Sequence, residues 1–211
     1  MNTLVDDDDA DVEDLRTCIG MATATGLAPD LQWQDAGKPV LCMQRGEYNL
    51  EAPEPPALDP AVFVDDDGSQ WLVSTCCRRA GRSGGLTEKK VFGGAHIWLT
   101  ELDPETGFLA DGPPSPASWE DEGGPAPSTG WWHLANGPFG SDPEADDNWA
   151  EAAYMHKHDG YYYLFVNYFA CCNGPDSTYE IRVGRSRNIT GPYVCPAGKS
   201  MLEGNRYELS D

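Results

Sequence analysis

Residues 149–168 read WAEAAYMHKHDGYYYLFVNY. The pair Asp159-Gly160 is a strong signal for a tight hairpin turn, whose central positions favour residues that tolerate positive φ. The flanking runs AAYMHKH and YYYLFVNY are rich in Tyr, Phe and Val, which suit a pleated, half-buried surface. The stretch therefore predicts a β-hairpin. One carboxylate, Glu151, stands at the start of its first strand. An acid at a strand edge is ordinarily a solvated charge, so its meaning depends on what else the chain supplies.

The same pattern occurs earlier. AVFVDDDGSQWLVST (61–75) places two β runs around Asp65-Asp66-Asp67-Gly68, and HIWLTELDPETG (96–107) predicts a third strand closed by a turn. After the second hairpin, STYEIRVGRSRNITGPY (177–193) supplies another strand and turn. Each unit runs strand, Asp-Gly turn, aromatic strand, loop, alternating strand, and a repeat of this kind points to propeller blades. Upstream, CIGMATA (18–24) reads as one strand, and DLQWQDAGKPVLCM (30–43) holds another near a Gly-Lys-Pro turn. Residues 1–16 read as an acidic disordered leader, 17–211 as the folded domain, and 110–148 as a long surface loop. No segment predicts a helix. The fold class expected is all-β.

Charge narrows the partners. Asp and Glu number 35 against 14 Lys and Arg, a formal net charge of −21, which repels nucleic acid and anionic membrane surfaces and suits a neutral substrate such as a polysaccharide. No run approaches the ~18 apolar residues needed to span a bilayer. The N-terminal MNTLVDDDDADVEDL lacks the basic start and apolar core of a secretory signal. The seven cysteines (18, 42, 76, 77, 171, 172 and 195) lack zinc-site spacing. The adjacent pairs Cys76-Cys77 and Cys171-Cys172 are either vicinal disulfides or reduced thiols. Asn188-Ile189-Thr190 is a candidate glycosylation acceptor.

Two acids stand out. Asp59, before Pro60, and Glu151 each lie at the start of the first strand of a repeat. Innermost propeller strands all start at one face, so these carboxylates are expected to converge across the central channel. Paired acids in an aromatic cleft equip a protein for glycoside hydrolysis, and one carboxylate raises the pKa of its neighbour. His156 and His158 share a strand face without an evident third ligand, and Asp65-Asp66-Asp67 reads as a solvated turn rather than a calcium loop. Most of Tyr161, Tyr162, Tyr163, Phe165 and Tyr168 are expected to pack between blades.

LDPAVFVDDDGSQWLV and EAAYMHKHDGYYYLFVNYFACCNGPDSTYEIRVGRSRNITGPY, with its string CCNG…STY…VGRS…ITGPY, closely resemble arabinan-degrading members of glycoside hydrolase family 43. CIGMATA followed by QWQDAGKPV resembles the last strand of that family's second blade, so the likeness covers roughly residues 17–204. The resemblance implies a five-bladed β-propeller, here a partial one of about three blades. It implies an extracellular endo-1,5-α-L-arabinanase acting with inversion on arabinan or arabino-oligosaccharide, as a monomer, without nucleic-acid or membrane partners. It implies no cofactor, and no metal on His96, His133, His156 or His158. Glu151 matches the family's general acid and Asp59 the acid that tunes its pKa and orients substrate. Asn167, Tyr154 and Cys172 are the candidate substrate-binding residues.

The sequence also departs from the family. The family's general base is an Asp in a His-Asp-Pro-type segment, whereas the Asp-Pro pairs here are Asp59-Pro60, Asp103-Pro104 and Asp142-Pro143. The first blade, most of the second and the fifth are expected to be missing, which leaves an inactive remnant, at most a binder of arabino-oligosaccharide, as the alternative to an enzyme. A xylan-acting or exo-acting member is a further alternative. Glu-Ala-Pro-Tyr is replaced by Glu151-Ala152-Ala153-Tyr154, EAPEPP precedes Asp59, and TCCRRAGRSGGLTEKKVFGG (75–94) is longer than the loop expected there.

Overall fold

A computed structural model describes residues 2–5, 16–26, 28–43, 57–77, 95–111, 130–137 and 149–204. The EAPEPP insert, most of the 75–94 loop, Asp142-Pro143 and the run of four aspartates lie outside the described residues.

Among the described residues every strand pairing is antiparallel. The first sheet has the order β1 (Asn2–Val5), β2 (Arg16–Ile19) and β5 (Leu41–Met43), and the hairpin of β3 (Ala22–Thr25) and β4 (Gln32–Asp35) stands beside it. A four-stranded meander follows: β6 (Leu58–Val64), β7 (Gln70–Cys77), β8 (Ala95–Leu102) and β9 (Trp131–Asn136). The last sheet is β10 (Ala150–His158), β11 (Tyr161–Tyr168) and β12 (Glu180–Ser186), extended by a bridge from Arg185 to Val194. The only helical pieces among the described residues are short 3₁₀ turns at Gly174–Asp176 and Met201–Glu203. The all-β expectation holds.

Both Asp-Gly turns form. His158 pairs with Tyr161 around Asp159 (φ 49°) and Gly160 (φ 71°), so both central residues are left-handed, matching the twist of the flanking strands. Around the other turn, Asp65 N–H donates to Ser69 C=O at 2.9 Å and Gly68 sits at φ 90°.

Three expectations are corrected. The leader is not structureless throughout, because Asn2–Val5 pairs with Arg16–Ile19. CIGMATA is two strands, divided at Gly20-Met21, that enter different pairings. The 110–148 segment contains β9, where the run WWHLAN completes the meander. Its Pro- and Gly-rich flanks hid it.

Packing joins the sheets in series. Val73, Ile97 and Leu99 from the meander meet Met155, Leu164 and Val166 from the last sheet in one buried core. On the other face, Leu72, Trp98 and Trp131 meet Ile19 and Leu41 of the first sheet. Each such fully buried side chain contributes about 1.5–3 kcal/mol. Cys18 and Cys42, directly opposite on β2 and β5, form a disulfide, a pairing that the spacing did not reveal.

A polar pin also crosses the main interface. Lys157 of β10 contacts Asp65 and Asp66 of the first Asp-Gly turn, and the Tyr162 hydroxyl donates to Asp65 at 2.5 Å. Burial pushes the Asp65 carboxyl up, but hydrogen bonds from Lys157 and Tyr162 outweigh it and hold the pKa below the ordinary value. Asp65 is thus an inter-sheet anchor, not the solvated turn residue expected.

Candidate active site

The first strands of the two larger sheets, β6 and β10, pack against each other and carry the same irregularity. On β6, Leu58 pairs with Thr75, but the next pair is Ala61 with Val73. On β10, Glu151 pairs with Asn167, and the next is Tyr154 with Phe165. Each strand therefore has one extra residue, a β-bulge. Its left-handed position falls at Asp59 (φ 47°) on β6 and at Ala152 (φ 47°) on β10. Asp59 is consequently the counterpart of Ala152, one place beyond Glu151, and the expectation of equivalent positions is off by one residue. The acids come from the first strands of two separate sheets that pack together, and Asp59 lies close enough for its charge to act on Glu151.

The offset has a chemical result. A bulge removes backbone groups from the ladder, and those groups need other partners. Ala152 N–H donates to Asp59 Oδ2 at 3.3 Å, and its carbonyl accepts from Asn167 Nδ2 at 3.4 Å. Both polar groups of the bulge residue are thus held by candidate site side chains. The bulge also keeps Glu151 and Tyr154 on the same sheet face, although three positions separate them. Across that face Glu151, Asn167 and Ile181 form one row, and Tyr154, Phe165 and Val183 the next.

Glu151 is half-buried. Burial raises its pKa, the Asp59 charge adds to the rise, and a hydrogen bond from the Tyr179 hydroxyl opposes both. That hydroxyl lies 3.3 Å from Glu151 Oε2. Tyr179 is itself harder to ionise than a free tyrosine, through burial first and then the charge and hydrogen bond of Glu151. A carboxyl that holds its proton to higher pH beside an ionisable neighbour is equipped as a general acid. Tyr179 was not among the sequence candidates. It lies 28 residues from Glu151 in the chain, inside the STY string, which is the one sequence signal that could have pointed to it.

The other candidates divide. Asn167 joins the acids through Ala152. Tyr154 is 58% exposed, in the row beside Glu151 on the same sheet face. Cys172 is exposed, sits at φ 69° and is paired with Cys171 as a vicinal disulfide. No contact joins Cys172 to Glu151 among the described residues.

His156 and His158 stack on the exposed face with ring centroids 6.4 Å apart. His133 is partly buried against Trp98 and His96, and desolvation followed by the neighbouring His96 pushes its pKa down to about 3. Among the described residues no group of His, Cys, Asp or Glu is arranged to hold a metal ion. A cavity of about 830 Å³ opens farther along the last sheet, lined by Tyr161, Tyr163, Arg185, Arg187 and their neighbours. Among the described residues no carboxylate lines its wall, in contrast to the surroundings of Glu151.

Comparison with known proteins gives three kinds of likeness. The family profile described as Glycosyl hydrolases family 43 matches residues 6–210. The extracellular endo-alpha-(1->5)-L-arabinanase 1 of Bacillus subtilis (strain 168) is 31% identical over 190 residues, covering 89% of this chain and 43% of that protein. Among solved structures, an exo-1,5-alpha-L-arabinanase from a bovine ruminal metagenomic library has a TM-score of 0.60 at 28% identity, over 89% of this chain and 50% of the other. The Cellvibrio cellulosa alpha-L-arabinanase complexed with arabinohexaose has a TM-score of 0.57 at 25% identity, with the same coverage of 89% and 50%. The chain spans half or less of the length of each.

Proposed function

The chain belongs to glycosyl hydrolases family 43, and on that premise we propose that it is an extracellular glycosidase cleaving the α-1,5-L-arabinofuranosyl bonds of arabinan. The observation that carries this reading is the half-buried Glu151 carboxyl, its pKa raised by burial and by Asp59. The names of the three similar proteins described above, each an arabinanase and one solved with arabinohexaose, support the substrate class.

In this reading Glu151 gives its proton to the glycosidic oxygen as the C–O bond breaks, and remains as a carboxylate. Asp59 keeps Glu151 protonated through its negative charge and fixes the local backbone through Ala152 N–H. Asn167, Tyr154 and Cys172 contact the sugar. The packed sheets, with β6 and β10 as neighbouring first strands, support blades of a five-bladed propeller, and the chain acts as a monomer. Inversion requires a base roughly 6.5–9.5 Å from the acid to activate water. Asp59 is engaged with the bulge backbone and serves as tuner, so the base is a further carboxylate for which these residues offer no His-Asp-Pro segment.

Among the described residues Asp59 is the one carboxylate whose charge bears on Glu151, and it is engaged with the Ala152 backbone, which favours a second reading, in which these residues bind arabino-oligosaccharide without cleaving it. Reducing-sugar release from linear arabinan separates the two. The enzyme reading expects release that falls about 10²–10⁴-fold in Glu151→Gln. Binding of arabinohexaose without any release establishes the second reading, and release unaffected by the substitution removes Glu151 from its role.

A further inference from the structure

Tyr179 stands at the neck of a loop that is fastened to itself at several points. The loop leaves β11 at Phe169 and returns at β12. Ala170 and Thr178 close its neck, with Thr178 N–H donating to Ala170 C=O at 3.1 Å and Ala170 N–H to Thr178 Oγ1 at 3.3 Å. Farther out, Asn173 N–H donates to Ser177 Oγ at 3.1 Å, and the Cys171–Cys172 disulfide stiffens one side. The next residue, Glu180, pairs with Tyr168 in the sheet. Tyr179 is therefore held between the loop neck and the first ladder pair of β12. Its hydroxyl has little freedom to leave Glu151.

The phenol donates to Glu151 Oε2, and Asn167, whose Nδ2 donates to the Ala152 carbonyl, stands close enough to lower the Tyr179 pKa against the larger rises from burial and Glu151. Among the described residues no hydrogen bond reaches Glu151 Oε1. The two carboxyl oxygens are thereby distinguished: one is tied to the protein and the other is left to face a ligand.

We propose that Tyr179 is the positioning residue of the acid: it occupies Oε2, so that Oε1 presents the proton, and it stabilises the carboxylate left after transfer. The inference rests on the reading of Glu151 as the general acid and deepens it. The proton that moves is the one on Glu151, which goes to the leaving oxygen; Tyr179 keeps its own and lends only a hydrogen bond. Its contribution opposes that of Asp59. Asp59 makes the carboxyl hold its proton, whereas Tyr179 makes the proton easier to release once substrate is in place.

The test is Tyr179→Phe, which removes one oxygen from a partly exposed ring. Glutamate labelled with ¹³C at the side-chain carboxyl reports the titration of Glu151 by NMR without requiring hydrolysis, assigned through Glu151→Gln. Tyr179→Phe is expected to raise the Glu151 pKa, because the bond to the ionised form is lost. On linear arabinan it is expected to lower kcat about three- to tenfold with KM unchanged, the worth of one hydrogen bond made in the transition state. The alkaline limb of the pH–rate profile moves up with the titration. An unmoved titration overturns the inference whether or not the chain hydrolyses arabinan. A moved titration in a chain that releases no sugar supports Tyr179's hold on the carboxyl and rejects only the hydrolase reading. If the variant does not fold, the ¹³Cζ signal of Tyr179 in the unmodified chain decides between the outcomes. It must step at the Glu151 titration point, and a flat signal overturns the proposal.

Discussion

Replacing Glu151 with Gln is expected to stabilise the fold at neutral pH and to leave it unchanged in acid. Burial, reinforced by the Asp59 charge, raises this carboxyl above the 4.5 of an unconstrained glutamate. As pH rises, the unfolded chain therefore releases the proton first. Below the unfolded value both states hold it, and Glu and Gln are alike. Between that value and the raised one the Glu protein loses stability, and above it the loss is constant. Gln has the same shape, cannot ionise, and can still accept the Tyr179 hydroxyl on its amide oxygen. Substitutions that relieve a functional site commonly yield about 0.5–2 kcal/mol. Water still reaches about half of Glu151 and screens its charge, which restricts the gain to about 0.5–1 kcal/mol. In a chain of this size that is a rise in Tm of about 1–4 °C. Thermal melts by circular dichroism at about pH 4 and about pH 8 make the comparison. Identical melting of both proteins at both pH values, or a lower Tm for Gln in the alkaline arm, refutes the claim that the fold works against the Glu151 charge.

Two further outcomes follow from the same geometry. Asp59→Asn keeps an acceptor for Ala152 N–H and tolerates the left-handed backbone, but removes the charge, so the Glu151 titration moves down; an upward shift in the ¹³C titration contradicts the tuning role. Gly184→Ala places a Cβ 2.3 Å from Met201 Sδ and 2.8 Å from its Cγ in a closed core, so unfolding by urea is expected to need about 1–3 kcal/mol less. A loss below about 0.5 kcal/mol would show that the Met201 side chain yields freely.

What could be read from the chain was what short-range chemistry decides. The Asp159-Gly160 and Asp67-Gly68 turns, and the aromatic runs after them, specify hairpins within a dozen residues, and both formed. β9 was hidden because WWHLAN is short and Pro- and Gly-rich segments surround it. Its strand character depends on pairing with β8, some 30 residues earlier. Asp65 looked solvated because an Asp-Asp-Asp-Gly turn usually is. Only the approach of Lys157 and Tyr162 from another sheet changes that, and nothing local encodes their arrival. The acids were legible as a pair, Glu151 and Asp59, yet their register was not. A bulge adds one residue to a strand without altering its composition, so no alternation pattern distinguishes Asp59 from the position before it.

The bulges do more than offset the two acids. A regular β10 would place Glu151 and Tyr154, three residues apart, on opposite faces. The extra residue restores them to one face and frees the backbone of Ala152 at the same point. Asp59 and Asn167 then take up those freed groups, one from the neighbouring sheet and one from the neighbouring strand. Asp59 is accordingly fixed relative to Glu151 by backbone geometry rather than by a flexible side-chain contact, so its electrostatic influence acts from a constant position. Among the described residues only Tyr179 reaches the acid from outside the strands, and its loop is closed by paired hydrogen bonds at the residue before it. A proton donor needs a stable pKa and a stable aim. With Glu151 as the proposed donor, Asp59 bears on the first and Tyr179 on both, through a backbone defect that makes room for them.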